Sequence, residues 1–453
     1  MKIDRQHKPE EQNARFFNLP KIEKRTTQTG LDVYLIENKR LPIIKLNLVI
    51  PAGSKLEPLG NEGLAYLTSL CIDEGAGNYN SLQLANEIDK LGSSIELSTS
   101  VDHIFIKLTS LKEHFERTLE LFSLIVKEPR FDENNFQREK KKQITKISQS
   151  FDDPGYMAAN AYQKNVFKDT GYATPVVGYT NSVEHLQSTS VKDFYKKFFN
   201  SAASKMMAVG SVSSDVLVKL LEKYLGDFHF DKHVEESSIE FKKSNPTLYF
   251  IHKDNATQSE IVVGHLVKER NKEDFFAAKL ANSILGGQFT SRINLNLRED
   301  KGYTYGAHSS ISYNLHSGYF SLSTSVQSEY TLNSLKEITK EIELIREDVR
   351  KDEIDFTKSA LVKQFPSMFE TYSQLLQRLN SKIIFDLDGD YYDEYLQNIW
   401  DVSKSEILDA AQSYFKPDEL CCFIVGNKDL IVKDLQKLDG FNFIELDKFG
   451  NVI

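Results

Sequence analysis

The 453-residue sequence has no hydrophobic run long enough to cross a membrane, because its apolar stretches have the length of short strands. Clustered basic charge is also scarce: the formal net charge is −9, and the local basic run from Arg138 to Lys142 is typical of a solvated helix face. Nucleic acid and an anionic membrane surface both favour clustered Lys and Arg. We therefore expect neither as a partner.

Cysteine is rare as well, with three residues in the chain. This number gives no disulfide framework, and we expect Cys71, Cys421 and Cys422 to be core residues rather than metal ligands or nucleophiles. The first eleven residues are polar and lack the hydrophobic centre of a signal peptide. We therefore expect a cytoplasmic protein, with the periplasm as the alternative if a signal peptide has been removed.

Two catalytic motifs are missing from the sequence: it contains neither His-Glu-x-x-His nor Gly-x-Ser-x-Gly. One His pair, His229 and His233, has the spacing of ligands on one helix face. It lies in a polar stretch without apolar periodicity, and no third ligand is near in sequence. We interpret it as an exposed pair in a linker.

The same order of elements occurs twice, at nearly one spacing, which indicates a tandem duplication. A chain of this length also exceeds a single ordinary core. The matching landmarks are Tyr34 with Tyr249 at an offset of 215, Asp132–Phe136 with Asp352–Phe356 at 220, and Gly210 with Gly426 at 216.

The sequence therefore predicts an α+β protein with two tandem homologous domains, each a mostly antiparallel sheet packed with helices. We divide the chain into an N-terminal arm over residues 1–25, a first domain over 26–228, a linker over 229–245 and a second domain over 246–453. The linker prediction depends on the polar composition around residue 230.

The stretch from Gly63 to Gly75 predicts a helix, because Leu64, Leu67, Leu70 and Cys71 lie on one helical face and Gly75 ends the pattern. A strand and an Ala-Gly-Ser turn at residues 52–54 precede it. Strand, turn, Gly-Leu-Ala helix start and Asp-Glu-Gly end together resemble the M16 family of zinc peptidases, the inverzincins. The resemblance implies that the two domains form one half of a clamshell.

In that family the helix carries His-x-x-Glu-His, in which two His bind zinc and the Glu activates water. The matching positions hold Tyr66, Ser69 and Leu70 in this sequence. The family's third ligand is a Glu before an Asp-Asp-Pro-like turn, and here Lys146 precedes Asp152-Asp153-Pro154. None of the four residue types replaces a zinc ligand or the general base. We predict no metal and no cofactor on this chain.

A second motif of the family is intact. Residues 284–292 and 297–306 look like the M16 segments Leu-Gly-Gly-x-Phe-x-Ser-Arg and Leu-Arg-x-x-x-Gly-x-x-Tyr. The resemblance implies that Arg298 and Tyr305 bind the substrate backbone and help to stabilise the oxyanion. The alternative is that Arg298 pairs with Glu299 or Asp300 and that Tyr305 fills the core. For Arg292 we expect a packing or ion-pair role.

The resemblance implies a function that depends on a partner. The expected function is a non-catalytic, substrate-binding subunit of a heterodimeric M16 metallopeptidase, whose partner is a homologue with the His-x-x-Glu-His motif and the zinc. The substrate would be a peptide. The alternative is a catalytically inactive, M16-like peptide-binding or scaffold protein. An active enzyme with unrecognised ligands is the least favoured reading.

Overall fold

The computed structural model describes residues 20–233, 242–270 and 272–453. The chain folds into two consecutive halves that each contain a six-stranded sheet. The strands of the first half are β1 (Ile22–Thr26), β2 (Asp32–Glu37), β3 (Ile43–Ile50), β4 (Gly75–Ala76), β5 (Tyr79–Asn80), β6 (Ser94–Thr99), β7 (Ile104–Leu111) and β8 (Lys205–Gly210). Its helices are α1 (Leu64–Ile72), α2 (Ser81–Lys90), α3 (Phe115–Lys127), α4 (Glu133–Ser150), α5 (Pro154–Val166), α6 (Thr180–His185), α7 (Ser188–Phe198) and α8 (Ser214–Leu225).

The second half repeats this plan. Its strands are β9 (Thr247–His252), β10 (Gln258–Val267), β11 (Thr304–Asn314), β12 (Ser317–Gln327), β13 (Cys421–Gly426) and β14 (Asn442–Leu446). Its helices are α9 (Phe275–Asn282), α10 (Arg292–Asn294), α11 (Thr331–Glu347), α12 (Lys351–Gln364), α13 (Tyr372–Ile384), α14 (Tyr395–Asp401), α15 (Lys404–Tyr414) and α16 (Lys428–Leu435). Two π-helical stretches, Ser283–Gly287 and Leu295–Asp300, flank α10.

The strand orders of the two sheets correspond. They are β1-β2-β8-β3-β7-β6 in the first and, in the matching direction, β14-β9-β13-β10-β12-β11 in the second. In each sheet the central parallel pair, β2 with β8 or β9 with β13, is followed by antiparallel neighbours. The predicted duplication and the mostly antiparallel sheets are therefore observed. The outer strands differ, because β1 is antiparallel to β2 while β14 is parallel to β9.

Strand β1 corrects the predicted boundary at residue 26. It begins at Ile22, inside the stretch that the sequence assigned to an arm, and it pairs with β2 along its length. Its sequence, Ile-Glu-Lys-Arg-Thr, has no apolar alternation because it is an edge strand with a largely solvated surface. The rest of the predicted arm, residues 1–19, and part of the predicted linker, residues 234–241, lie outside the described residues.

Each half contributes a helix that covers the sheet of the other half. Helix α5 packs on β10 and β13, and helix α13 packs on β3 and β8. Both helices are anchored by a tyrosine across the boundary: the Tyr162 hydroxyl donates to the Phe320 carbonyl at 2.8 Å, and the Tyr372 hydroxyl donates to the Asn38 carbonyl at 2.8 Å. The two hydrophobic cores consequently both contain residues from both halves.

The three cysteines are buried and unpaired, as the sequence predicts. Burial raises the pKa of Cys421 to about 11, so its thiol stays protonated at neutral pH. No helix in the described part of the chain is long and apolar enough to span a membrane.

Candidate functional site

Helix α1 begins under tight constraints. Gly63 precedes it with φ of 95°, and a Cβ there would lie 2.7 Å from the Val177 carbonyl oxygen and from Gln143 Nε2. The carboxylate of Glu57 accepts from the amides of Gly63 at 3.0 Å and Ala65 at 2.7 Å, and so satisfies free donors of the first turn. Only glycine fits this left-handed, closely packed position.

Helix α4 is hydrogen-bonded to the start of α1. Gln143 on α4 donates through Nε2 to the carbonyl oxygens of Gly63 at 3.0 Å and Val177 at 2.8 Å. One turn further along α4 lies Lys146. The loop at residues 174–178, α1 and α4 are thereby held in a fixed arrangement.

This arrangement brings Tyr66 and Lys146 together. The Lys146 ammonium donates to the Tyr66 hydroxyl at 2.7 Å and lies 4.8 Å from the centre of the Tyr66 ring. The Ser69 hydroxyl donates to the Tyr66 carbonyl at 2.7 Å and accepts from Thr99 at 2.9 Å. Leu70 is partly buried. The positions aligned with the zinc ligands are therefore neighbours across α1 and α4.

The residues present do not fit a zinc ion. An ammonium group fills the place where the family has its third ligand, and the neighbouring groups are a phenol and an aliphatic side chain. Within residues 20–233, 242–270 and 272–453, no cluster of three or more His, Cys, Asp or Glu side chains could hold a metal. Near the end of α1, the buried carboxylate of Glu139 instead accepts from Arg138 at 2.9 Å and Lys142 at 2.7 Å.

The second predicted pair, Arg298 and Tyr305, lies in the second half of the chain. Arg298 is on the π-helical stretch Leu295–Asp300, and its guanidinium lies 4.3 Å from the centre of the Phe289 ring. Its NH1 is 3.6 Å from Glu299 Oε1, a loose ion pair that agrees in part with the alternative predicted for this arginine. The Phe289 side chain is 68 % exposed. π-Helical insertions are frequent at functional sites because they reposition a side chain.

Tyr305 lies in a β-bulge at the start of β11, and it is 96 % exposed. The alternative for Tyr305, that it fills the core, is therefore wrong, and its predicted role in substrate binding stays a prediction. The bulge is fixed by Thr304 and Thr324, whose hydroxyls donate to the Gly306 carbonyl at 2.9 and 3.0 Å. Bulges next to functional sites turn one side chain away from the sheet.

Arg298 and Tyr305 line one cavity of about 380 Å³. Asn294, which no sequence motif indicates, connects the Phe289 turn with the start of β11. Its amide donates to the Phe289 carbonyl at 2.5 Å, and its carbonyl oxygen accepts from the Ala307 amide at 3.1 Å. Asn294 could have been suspected only from its place between the two motifs, because a buried Asn has no sequence signature of its own.

Arg292 has the structural role that the sequence predicts. It forms a two-fold contact with Glu353, at 2.8 Å from Nε and 2.7 Å from NH2, and it also donates to the Asp348 carbonyl at 2.9 Å. The neighbouring Glu353 holds the pKa of Arg292 above its usual value, although burial opposes this. Arg292 therefore connects α10 with α12.

The Asp152-Asp153-Pro154 turn that follows α4 contacts the second half of the chain. The Lys253 ammonium donates to the Asp152 carbonyl at 3.0 Å. A Cβ on Gly155 would lie 4.0 Å from Glu260 Oε2, and Glu260 shares a cavity of about 480 Å³ with Tyr305. Among contacts between described side chains, none joins Arg298 or Tyr305 directly to Tyr66 or Lys146.

Comparison with known proteins identifies the family of both halves. The family model described as "Insulinase (Peptidase family M16)" matches residues 33–178, and "Peptidase M16 inactive domain" matches residues 185–361. A Helicobacter pylori protein named "Non-peptidase homolog YmxG" is 26 % identical over 408 residues, covering 88 % of this chain and 93 % of that protein. An "Uncharacterized zinc protease" of Rickettsia bellii is 22 % identical over 414 residues, or 91 % and 98 % of the two chains.

Solved structures show the same fold. The crystal structure of a peptidase M16 inactive domain from Pseudomonas fluorescens superposes with a TM-score of 0.83 at 21 % identity, covering 90 % of this chain and 98 % of that one. A protease from Helicobacter pylori superposes with a TM-score of 0.82 at 19 % identity, covering 90 % and 100 %. The predicted fold class and family are confirmed: the chain belongs to the M16 peptidase family, with Tyr66, Ser69, Leu70 and Lys146 at the positions that align with the family's zinc-site residues.

Proposed function

We propose that this chain is the substrate-binding subunit of a two-chain M16 metallopeptidase, to which it contributes Arg298 and Tyr305. The observation that carries the proposal is Tyr305: a phenol that is 96 % exposed at a cavity shared with an arginine. A tyrosine in this position contributes little to the hydrophobic core. An exposed aromatic side chain that a bulge holds at the mouth of a cavity is in a position to contact a ligand.

The donors available at this cavity support peptide binding. Stacking on Phe289 fixes the Arg298 guanidinium, whose NH1 is buried and has no hydrogen-bond partner among the described residues. A guanidinium and a phenol both donate hydrogen bonds, and a peptide carbonyl accepts them. When such a carbonyl gains negative charge during hydrolysis, the same donors stabilise it more strongly.

An edge strand beside α1 also suits an extended peptide. Strand β6 is the last strand of the first sheet, so one of its sides has no neighbouring strand in that sheet. Its final residue, Thr99, donates to Ser69 on α1 at 2.9 Å. An extended peptide could add to this edge through backbone hydrogen bonds.

The catalytic partner in this proposal is an M16 homologue that carries His-x-x-Glu-His and binds the zinc. The assignment follows from the replaced residues at positions 66, 69, 70 and 146, because the site built by α1 and α4 does not fit a metal. Peptide hydrolysis would occur on the partner, while this chain holds the peptide backbone. No nucleic acid or membrane is part of the proposal.

The test is cleavage of an unfolded peptide by the purified chain, alone and mixed with a His-x-x-Glu-His homologue from the same organism. We expect cleavage only in the mixture. Arg298→Ala should then lower kcat/KM by a factor of about 100–1,000, because one oxyanion donor contributes roughly 2.7–4 kcal/mol to transition-state stabilisation. Tyr305→Phe, which removes only the hydroxyl, should also lower the rate.

Arg25→Ala is the matched control, since Arg25 is a half-exposed arginine on the edge strand β1. It should leave both cleavage and assembly unchanged. Assembly is measured by size-exclusion chromatography, and Arg298→Ala should not change it. A mixture that contains Arg298→Ala and cleaves at the normal rate would show that Arg298 does not hold the substrate.

A peptide-binding or scaffold protein without any role in cleavage is the second candidate. The close pairing of Tyr66 with Lys146 favours it, because this contact stabilises α1 against α4 where the peptidases bind metal. The name "Non-peptidase homolog" given to the Helicobacter pylori relative is in keeping with it. If no mixture cleaves but a fluorescent peptide binds to the chain alone, this function replaces the first.

A further inference from the structure

A second cavity, of about 440 Å³, lies between strands β1 and β2 of the first half and helix α13 of the second. It shares no lining residue with the cavity of Arg298 and Tyr305. Its strand wall is one face of the β1–β2 pair: Ile22 is opposite Ile36, and Lys24 is opposite Tyr34. The volume is within the range of small-molecule sites in proteins. A ligand here would touch both halves of the chain.

The helix wall of this cavity has an apolar stripe and a basic one. Leu375, Leu379 and Ile383 are spaced four residues apart and point along one line of α13. Arg378 and Lys382, also four residues apart, lie beside them. The wall is therefore amphipathic, with an apolar floor and cations along one side.

Cations outnumber carboxylates among the residues that line this cavity. Lys21, Lys24, Arg378 and Lys382 line it, whereas Asp393 is its single carboxylate among the described residues. Two of the cations have partners: Lys24 pairs with Asp32 at 2.9 Å, and the Lys382 ammonium donates to the Gly389 carbonyl. Arg378 Nε is buried and has no hydrogen-bond acceptor among the described residues. A buried guanidinium N–H without an acceptor is costly, and it indicates a missing partner.

We propose that this cavity binds a small amphipathic carboxylate, with its apolar body between the β1–β2 face and α13 and its carboxylate on Arg378. The apolar floor disfavours a strongly hydrated dianion such as free phosphate, and the excess of cations disfavours an ammonium ligand. A carboxylate matches the guanidinium in geometry and in charge. The proposal is independent of peptide cleavage, because it uses neither Arg298 nor Tyr305.

The experiment is a calorimetric titration of the full-length chain with decanoate below its micelle concentration. Decanol and decyltrimethylammonium have the same tail with no charge and with positive charge, and they serve as ligand controls. We expect saturable binding of one decanoate per chain and at least tenfold weaker binding of both controls. Decanoate should also raise the midpoint of thermal unfolding, since it binds the folded state across both halves.

Two variants test the placement. Arg378→Gln should weaken decanoate binding about tenfold or more while Lys336→Gln, which removes an exposed cation from α11, should not change it. Ile22→Trp keeps the cations but fills the cavity from the exposed edge strand, and it should abolish binding. Equal affinity for decanoate and decanol, unchanged affinity in Arg378→Gln, or no saturable binding to the wild-type chain would each overturn the proposal.

Discussion

At the residue scale, His265 on β10 is a completely buried histidine with a defined protonation state. Its Nε2 accepts from the Lys416 amide at 3.0 Å, so the proton is on Nδ1, which lies 2.9 Å from the Leu266 carbonyl oxygen. Burial lowers the pKa of His265 below its usual value, because the imidazolium would be poorly solvated. Protonation would also break the bond from Lys416.

Because the pKa of His265 is lowered in the folded state, we expect acid to destabilise the fold. The unfolded state binds the proton at about pH 6.5, whereas the folded state resists it, so the free energy of unfolding falls as pH drops below that value. The slope from one such group is at most about 1.4 kcal/mol per pH unit. Urea unfolding at pH 7.5 and 5.5 measures it.

His265→Gln should show a smaller loss of stability between these two pH values than the wild-type chain. His308→Gln is the matched control, because His308 is exposed on the nearby strand β11. It should retain the full pH dependence. If all three proteins lose the same free energy between pH 7.5 and 5.5, His265 is not the group responsible.

At the scale of elements, α1 and α4 bring together the positions that align with the family's zinc ligands. The 2.7 Å contact between Tyr66 and Lys146 shows that side chains at these positions reach each other. We expect that the variant Tyr66→His, Ser69→Glu, Leu70→His and Lys146→Glu binds one Zn²⁺ per chain. Mass spectrometry under native conditions and isothermal titration measure the stoichiometry and affinity.

The variant with the first three substitutions and an intact Lys146 is the control, because its ammonium still fills the place of the third ligand. It should bind zinc far more weakly. If the four-fold variant is folded by circular dichroism but binds no zinc, then the two helices no longer have the spacing of the peptidases. The wild-type chain gives the background level.

The elements differ in how far sequence can predict them. Helix α1 and strands β2, β8, β9 and β13 were predictable, because their apolar periodicity is strong and occurs twice. The π-helical stretch that carries Arg298 and the bulge that carries Tyr305 were not. Both depend on a single extra residue in an otherwise regular element, and tertiary contacts such as those of Asn294 decide whether it is accommodated.

The candidate site was predictable in part. Motif positions identified Tyr66, Lys146, Arg298 and Tyr305, and the structure places them in two pairs. The exposure of Tyr305 could not be deduced, since a tyrosine at this position of the motif is compatible with both a core and a surface location. The cavity beside Arg378 was also missed, because its walls come from strands and a helix more than 330 residues apart, as the contact of Tyr372 with Asn38 illustrates.

At the scale of the whole molecule, Asp102 joins the two halves. Its carboxylate lies 3.0 Å from the Lys55 ammonium, and it accepts from the Tyr172 hydroxyl at 2.7 Å and from the amide of Leu315, in the β11–β12 turn, at 3.1 Å. Asp102 and Tyr172 are buried. The buried carboxylate of Asp102 therefore connects the β6–β7 turn with the second half of the chain.

Asp102→Ala should destabilise the chain by about 3–5 kcal/mol, because it removes the carboxylate from beside a buried ammonium. Asp254→Ala, which breaks the exposed contact with His252, should cost less than about 1 kcal/mol. Chemical denaturation of both variants measures the difference. If both substitutions lower the free energy of unfolding by less than about 1 kcal/mol, the stability of the fold does not depend on the contacts of Asp102.

The reciprocal covering by α5 and α13 has a consequence for synthesis on the ribosome. The first sheet is complete once β8 has emerged, but the helix that covers Ile36, Val49, Met207 and Val209 ends only at Ile384. At a synthesis rate of about 5–20 residues per second, roughly 10–35 s pass between the synthesis of β8 and that of the end of α13. The nascent chain thus displays a hydrophobic sheet face throughout that interval, and the first half reaches its native packing only after most of the second half has been translated.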